Sequence, residues 1–165
     1  MSDAFDPVAI LQTLDERGVA YVVIGGFAAW LHGAPVVTTD IDIIYQASEP
    51  NIAQLCLALE DLQAIYRHQF GRRLEPTASG LASTQGAGHH LLTTRAGDLD
   101  ALRSAAGHDY EDLVADVVRF DIDGVDTPVL ALARIIELKA AANRPKDIAA
   151  LPVLRAALED DPETG

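Results

Sequence analysis

Two aspartates separated by one isoleucine, Asp40 and Asp42, lie in the stretch DIDIIY, which is otherwise apolar. In a β-strand, residues two positions apart point to the same face of the sheet, about 6.5–7 Å apart at Cα. Carboxylates at that spacing repel one another unless a cation lies between them, and oxygen atoms are the ligands that Mg²⁺ prefers. Because a buried carboxylate must be paired or must bind a metal, this pair indicates a metal site.

The same Asp-x-Asp pattern occurs twice more, at Asp98/Asp100 and at Asp121/Asp123. The second of these pairs precedes a glycine, and Asp-Gly between two apolar stretches predicts a β-hairpin turn, with Asp121 facing solvent. Asp98 follows Gly97 and is predicted to be a turn residue. Asp100 lies inside an apolar stretch, where it could be either a third carboxylate of the metal site or a solvent-facing strand residue.

A glycine pair, Gly25-Gly26, follows the apolar stretch YVVI and precedes a short helical pattern. Without a Cβ, the backbone N–H groups of glycine can approach a phosphate closely, and a helix N-terminus favours negative charge. A tight turn with no ligand is the other interpretation of the pair. Neither the Rossmann nor the Walker fingerprint occurs in the sequence.

These residues need a scaffold, and the hydrophobic periodicity predicts one of the α/β (α+β) class. We expect a mixed sheet of four to five strands, flanked by helices and followed by a helical C-terminal section. The length of 165 residues suits a single domain spanning residues 1–165, with a frayed acidic tail at 160–165. The segment 71–88 is rich in Gly, Ser and Thr and predicts a long functional or mobile loop.

The composition narrows the range of partners. With 12 basic and 25 acidic residues, the formal net charge of −13 argues against broad DNA binding and against an anionic membrane surface. No apolar stretch is long enough to span a membrane, and the single cysteine, Cys56, suits a reducing cytoplasm. We therefore expect a cytoplasmic protein. The basic residues form two groups, one at Arg67, Arg72 and Arg73 and another at Lys139, Arg144 and Lys146.

Other residues that could take part in chemistry have simpler interpretations. The adjacent histidines His89 and His90 would face opposite sides of a strand, so at most one of them could approach a site. The aromatic residues Tyr21 and Trp30 lie in apolar segments and are predicted to be core residues. Cys56 is interpreted as a small core residue rather than as a nucleophile.

Taken in order, the motifs resemble a known signature. The stretch VIGGFAAWLHGAPVVTTDIDIIY resembles that of the DNA polymerase β-like nucleotidyltransferase superfamily: an apolar residue, a glycine pair, a spacer and Asp-apolar-Asp. More specifically, the chain resembles the AbiEii-type nucleotidyltransferases of toxin–antitoxin systems. LLTTRAGDLDAL resembles the strand that carries their third carboxylate, and LARIIELKAAANRPKDIAALPVL resembles their C-terminal helices.

The resemblance implies a transfer of a nucleoside monophosphate from an NTP to a hydroxyl acceptor, which could be tRNA, a protein or a small molecule. It implies that two Mg²⁺ ions are held by Asp40, Asp42 and Asp100, and that the last of these could instead accept the proton of the attacking hydroxyl. Nucleotide-binding positions are implied for the glycines and for basic and hydroxyl side chains: Gly25, Gly26, Thr39, Lys139 and Lys146. A cognate antitoxin would be a further partner.

The sequence also departs from the family pattern. Many relatives carry a serine where Gly26 stands, and many carry an arginine after the spacer proline, where this chain has Val36 and Val37. A hydroxyl group and a base are thus absent from the expected phosphate site. A non-catalytic nucleotide-binding or partner-binding module of the same fold is therefore the alternative function. Lys139 and Lys146 could contact triphosphate oxygens or could pair with Glu137 or Asp147.

Overall fold

The computed structural model describes residues 4–160, and all structural statements below concern that part of the chain. Its strands are β1 Tyr21–Ile24, β2 Asp40–Tyr45, β3 Ile65–Tyr66, β4 His89–Thr94, β5 Gly97–Leu102, β6 Ser104–Ala105, β7 His108–Asp109, β8 Val117–Ile122 and β9 Val125–Leu130. Its helices are α1 Pro7–Glu16, α2 Gly25–Leu31, α3 Glu49–Asp61, α4 Ala78–Ala82, α5 Tyr110–Leu113, α6 Leu132–Ala142 and α7 Pro145–Asp160, with a 3₁₀ turn at Val114–Asp116.

A mixed sheet organises the fold. It has seven strands in the order β3-β4-β5-β2-β1-β9-β8, so the predicted count of four to five was too low. The sequence conceals β3 because that strand has only two residues, and the C-terminal hairpin joins the sheet through a single parallel residue pair, Val23 with Val129. The pairs β2–β5 and β1–β9 are parallel, and the others are antiparallel. The mixed α/β class and the helical C-terminal section are as predicted.

The central strands are buried on both faces. All four residues of β1 are buried, as are Ile41, Ile43 and Ile44 of β2. Nearly continuous apolar stretches of this kind are typical of strands that are covered by helices on both sides. Helix α1 packs against α3, and α6 packs against α2 and α7. Against this apolar background, the half-buried Asp40 and Asp42 are exceptions that need a physical reason.

The hairpin between β8 and β9 forms where Asp123-Gly124 predicted it. Both turn residues have positive φ, 51° and 86°, as a two-residue turn between twisted strands requires. The exposed Asp121 carboxylate accepts a hydrogen bond of 2.8 Å from the Gly124 backbone N–H. The Asp121/Asp123 pair therefore has a structural role in the hairpin.

Two predictions about single segments were wrong. Trp30 is 52% exposed rather than in the core, because the short helix α2 buries Phe27, Ala28 and Ala29 on its other side. The Trp30 ring stacks on Phe27, with their centroids 5.7 Å apart. The segment 71–88 is not wholly a loop: α4 forms within it, and its Leu81 is buried.

The predictions for Tyr21 and Cys56 are confirmed, and the predicted tail lies mostly outside the residues that the structure describes. Tyr21 is buried, and Cys56 packs half-buried against the core. Of the tail predicted at 160–165, residue 160 ends α7, and residues 161–165 lie outside the described part. No helix between residues 4 and 160 combines the length and the apolar character needed to cross a bilayer.

Candidate active site

A cleft of about 780 Å³ opens at the end of β1 and along β2 and β5. Its lining includes the residues that were predicted from the sequence to be functional: Gly25, Gly26, Thr39, Asp40, Asp42, Asp100, Lys139 and Lys146. Segments from the first third, the middle and the C-terminal part of the chain therefore meet in one place. The cleft is the candidate functional site.

Three carboxylates form a cluster in this cleft. One oxygen atom each from Asp40, Asp42 and Asp100 lies within 4.8 Å of the other two. The cluster exists because β2 and β5 run parallel with Asp42 and Asp100 as direct partners. Asp40 and Asp42 point to the same face because they are two positions apart on one strand. No Lys or Arg within residues 4–160 forms an ion pair with either of these two aspartates.

The position of the Asp42 side chain explains why residue 25 is a glycine. Gly25 has a φ of +73°, and a Cβ built on it would lie 2.1 Å from Oδ2 of Asp42 and 3.0 Å from its Cγ. The carboxylate therefore occupies the space that a side chain at position 25 would need. At Gly26 the nearest atoms to such a Cβ belong to Thr38, at 3.6 and 3.7 Å, which is ordinary contact. The two glycines thus have different structural roles.

The cluster is electrostatically unfavourable without a cation. Burial, followed by the negative charges of Asp40 and Asp100 and a hydrogen bond with Asp100, raises the pKa of Asp42 to about 8. Burial and then the charge of Asp100 also raise the pKa of Asp40. Each effect disfavours the ionised form, and a divalent cation would reverse it. The oxygen-only donor set, its partial burial and its incomplete charge compensation fit Mg²⁺.

An arginine borders the cluster on the β5 side. The Nη1 atom of Arg67 donates to Asp98 over 3.0 Å, and its Nη2 donates to Asp100. Asp98 also accepts a hydrogen bond of 2.5 Å from the Thr93 hydroxyl. The prediction that Asp98 is a turn residue was wrong: it is the second residue of β5, because the turn lies one step earlier, at Arg95 and Ala96. Arg72 and Arg73 are exposed, whereas Arg67 is not.

The lining of the cleft also includes basic side chains from the elbow between α6 and α7. Asn143 ends α6 in the left-handed conformation, with φ of 54°, and Pro145 begins α7. At this elbow the fully buried Asp147 accepts hydrogen bonds from the Arg144 guanidinium, at 2.6 and 3.2 Å, and lies 3.7 Å from Nζ of Lys139. Of the alternatives that the sequence left open for Lys139, the pairing with Asp147 is present.

The Asp147 carboxylate is ionised in spite of its burial. Burial alone would raise the pKa of Asp147, but the hydrogen bonds and the charge of Arg144 outweigh it and lower that pKa. Loss of Arg144 would leave the buried Asp147 carboxylate with less compensating charge, which would destabilise the elbow. Lys146 is exposed at the rim of the same cleft. The same cleft is thus lined both by the three carboxylates and by these basic groups.

The sequence missed part of this arrangement. Arg67 and Thr93 were not among the predicted site residues, since their contacts with β5 depend on the pairing of β3 and β4 with it. No local motif marks either residue. The histidines divide as expected: His89 lines the cleft, and His90 is buried and hydrogen-bonded through Nδ1 to the Tyr66 hydroxyl at 2.7 Å.

The raised pKa of Asp42 predicts how the binding of Mg²⁺ to the carboxylate cluster would depend on pH. An ordinary aspartate ionises near pH 4, so the free energy of unfolding should fall as pH rises from there to about 8, the pKa of Asp42 in the fold. Because Mg²⁺ must displace the retained proton, its affinity should rise across the same range, by up to about tenfold per pH unit. Calorimetric titrations with Mg²⁺ at about pH 6, 7 and 8 measure this. Asp42→Asn should flatten the dependence, and an equally steep dependence in that variant would contradict the assignment.

Comparisons with known proteins address the fold. No protein-family model matches the sequence, and a search of curated proteins finds no significant match. Among solved structures, the lincosamide antibiotic adenylyltransferase LnuA, bound to lincomycin, has a TM-score of 0.58 at 15% identity, over 92% of this chain and 95% of that one. ANT(2″)-Ia in complex with adenylyl-2″-tobramycin has a TM-score of 0.57 at 15% identity, over 93% and 86%.

A third similar structure is an antigenic nucleotidyltransferase-like protein from Paracoccidioides brasiliensis. Its TM-score is 0.57 at 15% identity, and the match covers 96% of this chain and 77% of that one. In each of the three cases the match extends over almost the whole of this chain, from the glycine pair to the C-terminal helices. At such low identity the likeness concerns the fold. The chain has the nucleotidyltransferase fold.

Proposed function

We propose that this protein is a Mg²⁺-dependent nucleotidyltransferase, which moves a nucleoside monophosphate from an NTP to a hydroxyl acceptor. The observation that carries the proposal is the cluster of Asp40, Asp42 and Asp100, with oxygen atoms within 4.8 Å of one another, in a cleft of this fold. The similar structures support it, since one is an adenylyltransferase and another holds an adenylylated antibiotic.

In the proposed reaction, the acceptor oxygen bonds to the α-phosphorus and the bond from that phosphorus to the leaving pyrophosphate breaks. Two Mg²⁺ ions, when bound, would supply charge stabilisation for the attacking and the leaving oxygens. Asp40 and Asp42 would hold the ions from β2. Asp100 would hold the second ion from β5 or would take the proton of the acceptor hydroxyl. In either role, Asp100 acts on the acceptor side.

The triphosphate would lie between the glycine pair and the elbow of α6 and α7. Gly25 and Gly26 begin α2, and their backbone N–H groups would donate to phosphate oxygens. Thr39 lines the same part of the cleft. Lys139 and Lys146 would approach the β- and γ-phosphates, with Arg144 as a further base that the sequence did not single out for this role. The buried Asp147 would keep Lys139 and Arg144 in place.

The finer assignment follows the sequence resemblance. The chain would act as a single nucleotidyltransferase-like domain of the AbiEii type, as a cytoplasmic toxin of a toxin–antitoxin pair. Its acceptor would be tRNA, a protein or a small molecule, and a cognate antitoxin would be its partner. The three carboxylates and the C-terminal Lys139, Arg144, Lys146 and Asp147 are the residues on which this assignment depends.

A second candidate is a non-catalytic nucleotide-binding module. The observation that favours it is Val37, which lines the cleft with a fully exposed side chain where relatives carry a base nearby. Gly26 adds no hydroxyl group, although the space beside Thr38 would admit one. Such a site would bind a nucleotide with its metal but would stabilise the transition state less well.

One experiment separates the two candidates. Purified protein is incubated with each NTP, labelled at the α-phosphate, with Mg²⁺ and a cell extract. We expect EDTA-sensitive transfer of label to one acceptor fraction. Loss of the labelled product on treatment with ribonuclease or with protease would identify RNA or protein as the acceptor, and label that passes a small-pore filter would identify a small molecule. Binding of NTP with no transfer would support the non-catalytic module, and absence of NTP binding would contradict both.

A further inference from the structure

Arg67 reaches the carboxylate cluster from outside the strands that carry it. The residue follows β3 directly, and its backbone N–H donates to the Leu91 carbonyl on β4 over 3.0 Å. Leu91 is the direct partner of Asp100 in the β4–β5 pairing. The side chain of Arg67 therefore crosses β4 and ends on β5. It is only 18% exposed, although the residue lies in a connecting segment.

The two ends of the Arg67 guanidinium have different partners. Nη1 bonds to Asp98 at 3.0 Å, and Nη2 bonds to Asp100. Asp98 is itself held by the Thr93 hydroxyl at 2.5 Å. Nε is buried and has no hydrogen-bond partner within the described part of the chain. The two carboxylates alone thus fix the orientation of the guanidinium plane.

We propose that Arg67 is a positioning residue, which is anchored on Asp98 and holds the Asp100 carboxylate toward Asp40 and Asp42 for metal binding. The inference rests on the proposed function, because it takes Asp100 to be a metal ligand. Metal-ligating carboxylates are commonly oriented by hydrogen bonds from residues behind them, and loss of such a partner costs about 10–100-fold in metal affinity or activity. Arg67 is in the right place to be this partner of Asp100.

The sign of the effect on metal affinity distinguishes positioning from simple charge. A positive charge beside a cation site repels the cation, so its removal would raise metal affinity if Arg67 acted only through its charge. If Arg67 positions Asp100, its removal should lower the affinity, since a ligand is then free to turn away. Lysine would keep the charge but offers a single ammonium group, which cannot span both carboxylates as the planar guanidinium does.

The test is a titration with Mn²⁺ alone, read from the electron paramagnetic resonance signal of the free ion, on wild type, Arg67→Gln and Arg67→Lys. We expect Arg67→Gln to bind Mn²⁺ about tenfold more weakly or worse, and Arg67→Lys to recover only part of that loss. If transfer is measured as well, kcat should fall while KM for the NTP stays within about threefold, because in the proposed function the triphosphate is held by the glycine pair and the elbow of α6 and α7 rather than by Arg67.

The matched control is Arg17→Gln, which breaks a bidentate ion pair with Asp61 between α1 and α3, away from the cleft. It should leave Mn²⁺ binding unchanged. If Arg67→Gln does not fold, Asp98→Asn takes its place, because it weakens the anchor and keeps both Arg67 and Asp100; a loss of about threefold to tenfold is expected there.

The outcomes separate this inference from the proposed function. If Arg67→Gln binds Mn²⁺ as tightly as wild type or more tightly, the positioning role of Arg67 is overturned. The carboxylate cluster would then still be a metal site. Full recovery in Arg67→Lys would also overturn it. Failure of the wild-type protein to bind Mn²⁺ at all would overturn the metal site, and the positioning role with it.

Discussion

Asp40→Asn/Asp42→Asn protein should fold and yet transfer nucleotide at least about a thousandfold more slowly than wild type. The metal ions that these carboxylates would hold supply several kcal/mol of transition-state stabilisation, and about 1.4 kcal/mol corresponds to a tenfold change in rate. In metal-free buffer near pH 8 the variant should melt at a higher temperature, because the half-buried carboxylates with raised pKa values are neutral amides in it. Thermal melting with and without Mg²⁺, followed by the transfer assay, measures both effects.

The matched control is Asp121→Asn/Asp123→Asn, which makes the same change in the same sequence pattern. Asp123 lies in the β8–β9 turn, where asparagine tolerates its positive φ, and an asparagine at position 121 of β8 can still accept the Gly124 N–H bond. This variant should retain the Mg²⁺-dependent rise in melting temperature and the transfer activity. Persistence of either property in the β2 variant would exclude a metal site on β2.

Gly25→Ala should remove Mg²⁺ binding and lower transfer by about a hundredfold or more, as expected when a metal ligand is displaced. The new Cβ would lie 2.1 Å from Oδ2 of Asp42, so this carboxylate must turn out of the cluster. The left-handed backbone at φ of +73° adds a cost of about 1–2 kcal/mol to the folded state. For a chain of this size that cost corresponds to a fall in melting temperature of about 2–4 °C per kcal/mol.

Gly26→Ala is the control for this substitution. Its Cβ would meet only the Thr38 side chain, at 3.6 Å and beyond, so both stability and Mg²⁺ binding should stay near wild type. A smaller decrease in transfer would still be consistent with a phosphate-binding role for the backbone at position 26. Equal loss of Mg²⁺ binding in the two alanine variants would show that helix α2, rather than the space beside Asp42, is what the substitutions disturb.

Local chemistry made much of the fold predictable. The Asp123-Gly124 turn and the apolar strands depend on neighbours in sequence, and the structure has a hairpin and strands where those signals occur. The same-face pairing of Asp40 and Asp42 follows from the twofold repeat of a strand. Sequence reasoning succeeds where a single element decides the geometry.

Pairing between distant elements decided the rest. Asp98 was predicted to be a turn residue, but the turn lies earlier in the chain than predicted. Asp98 is therefore a strand residue opposite Thr93 on β4, where it can anchor Arg67. Arg67 could not be assigned because its contacts require β3, β4 and β5 in register. Trp30 was misplaced because a seven-residue helix has too little periodic pattern to show which of its sides is buried.

The parallel pairing of β2 with β5 has a consequence for how the site comes into being. Asp42 and Asp100 meet only after the chain between them, with α3, β3, α4 and β4, has closed on itself. Contacts so distant in sequence form late in folding, because the entropy of loop closure must be overcome first. A chain still emerging from the ribosome therefore contains the glycine pair, Asp40 and Asp42, whereas the cluster of three carboxylates is complete only when β5 has paired with β2.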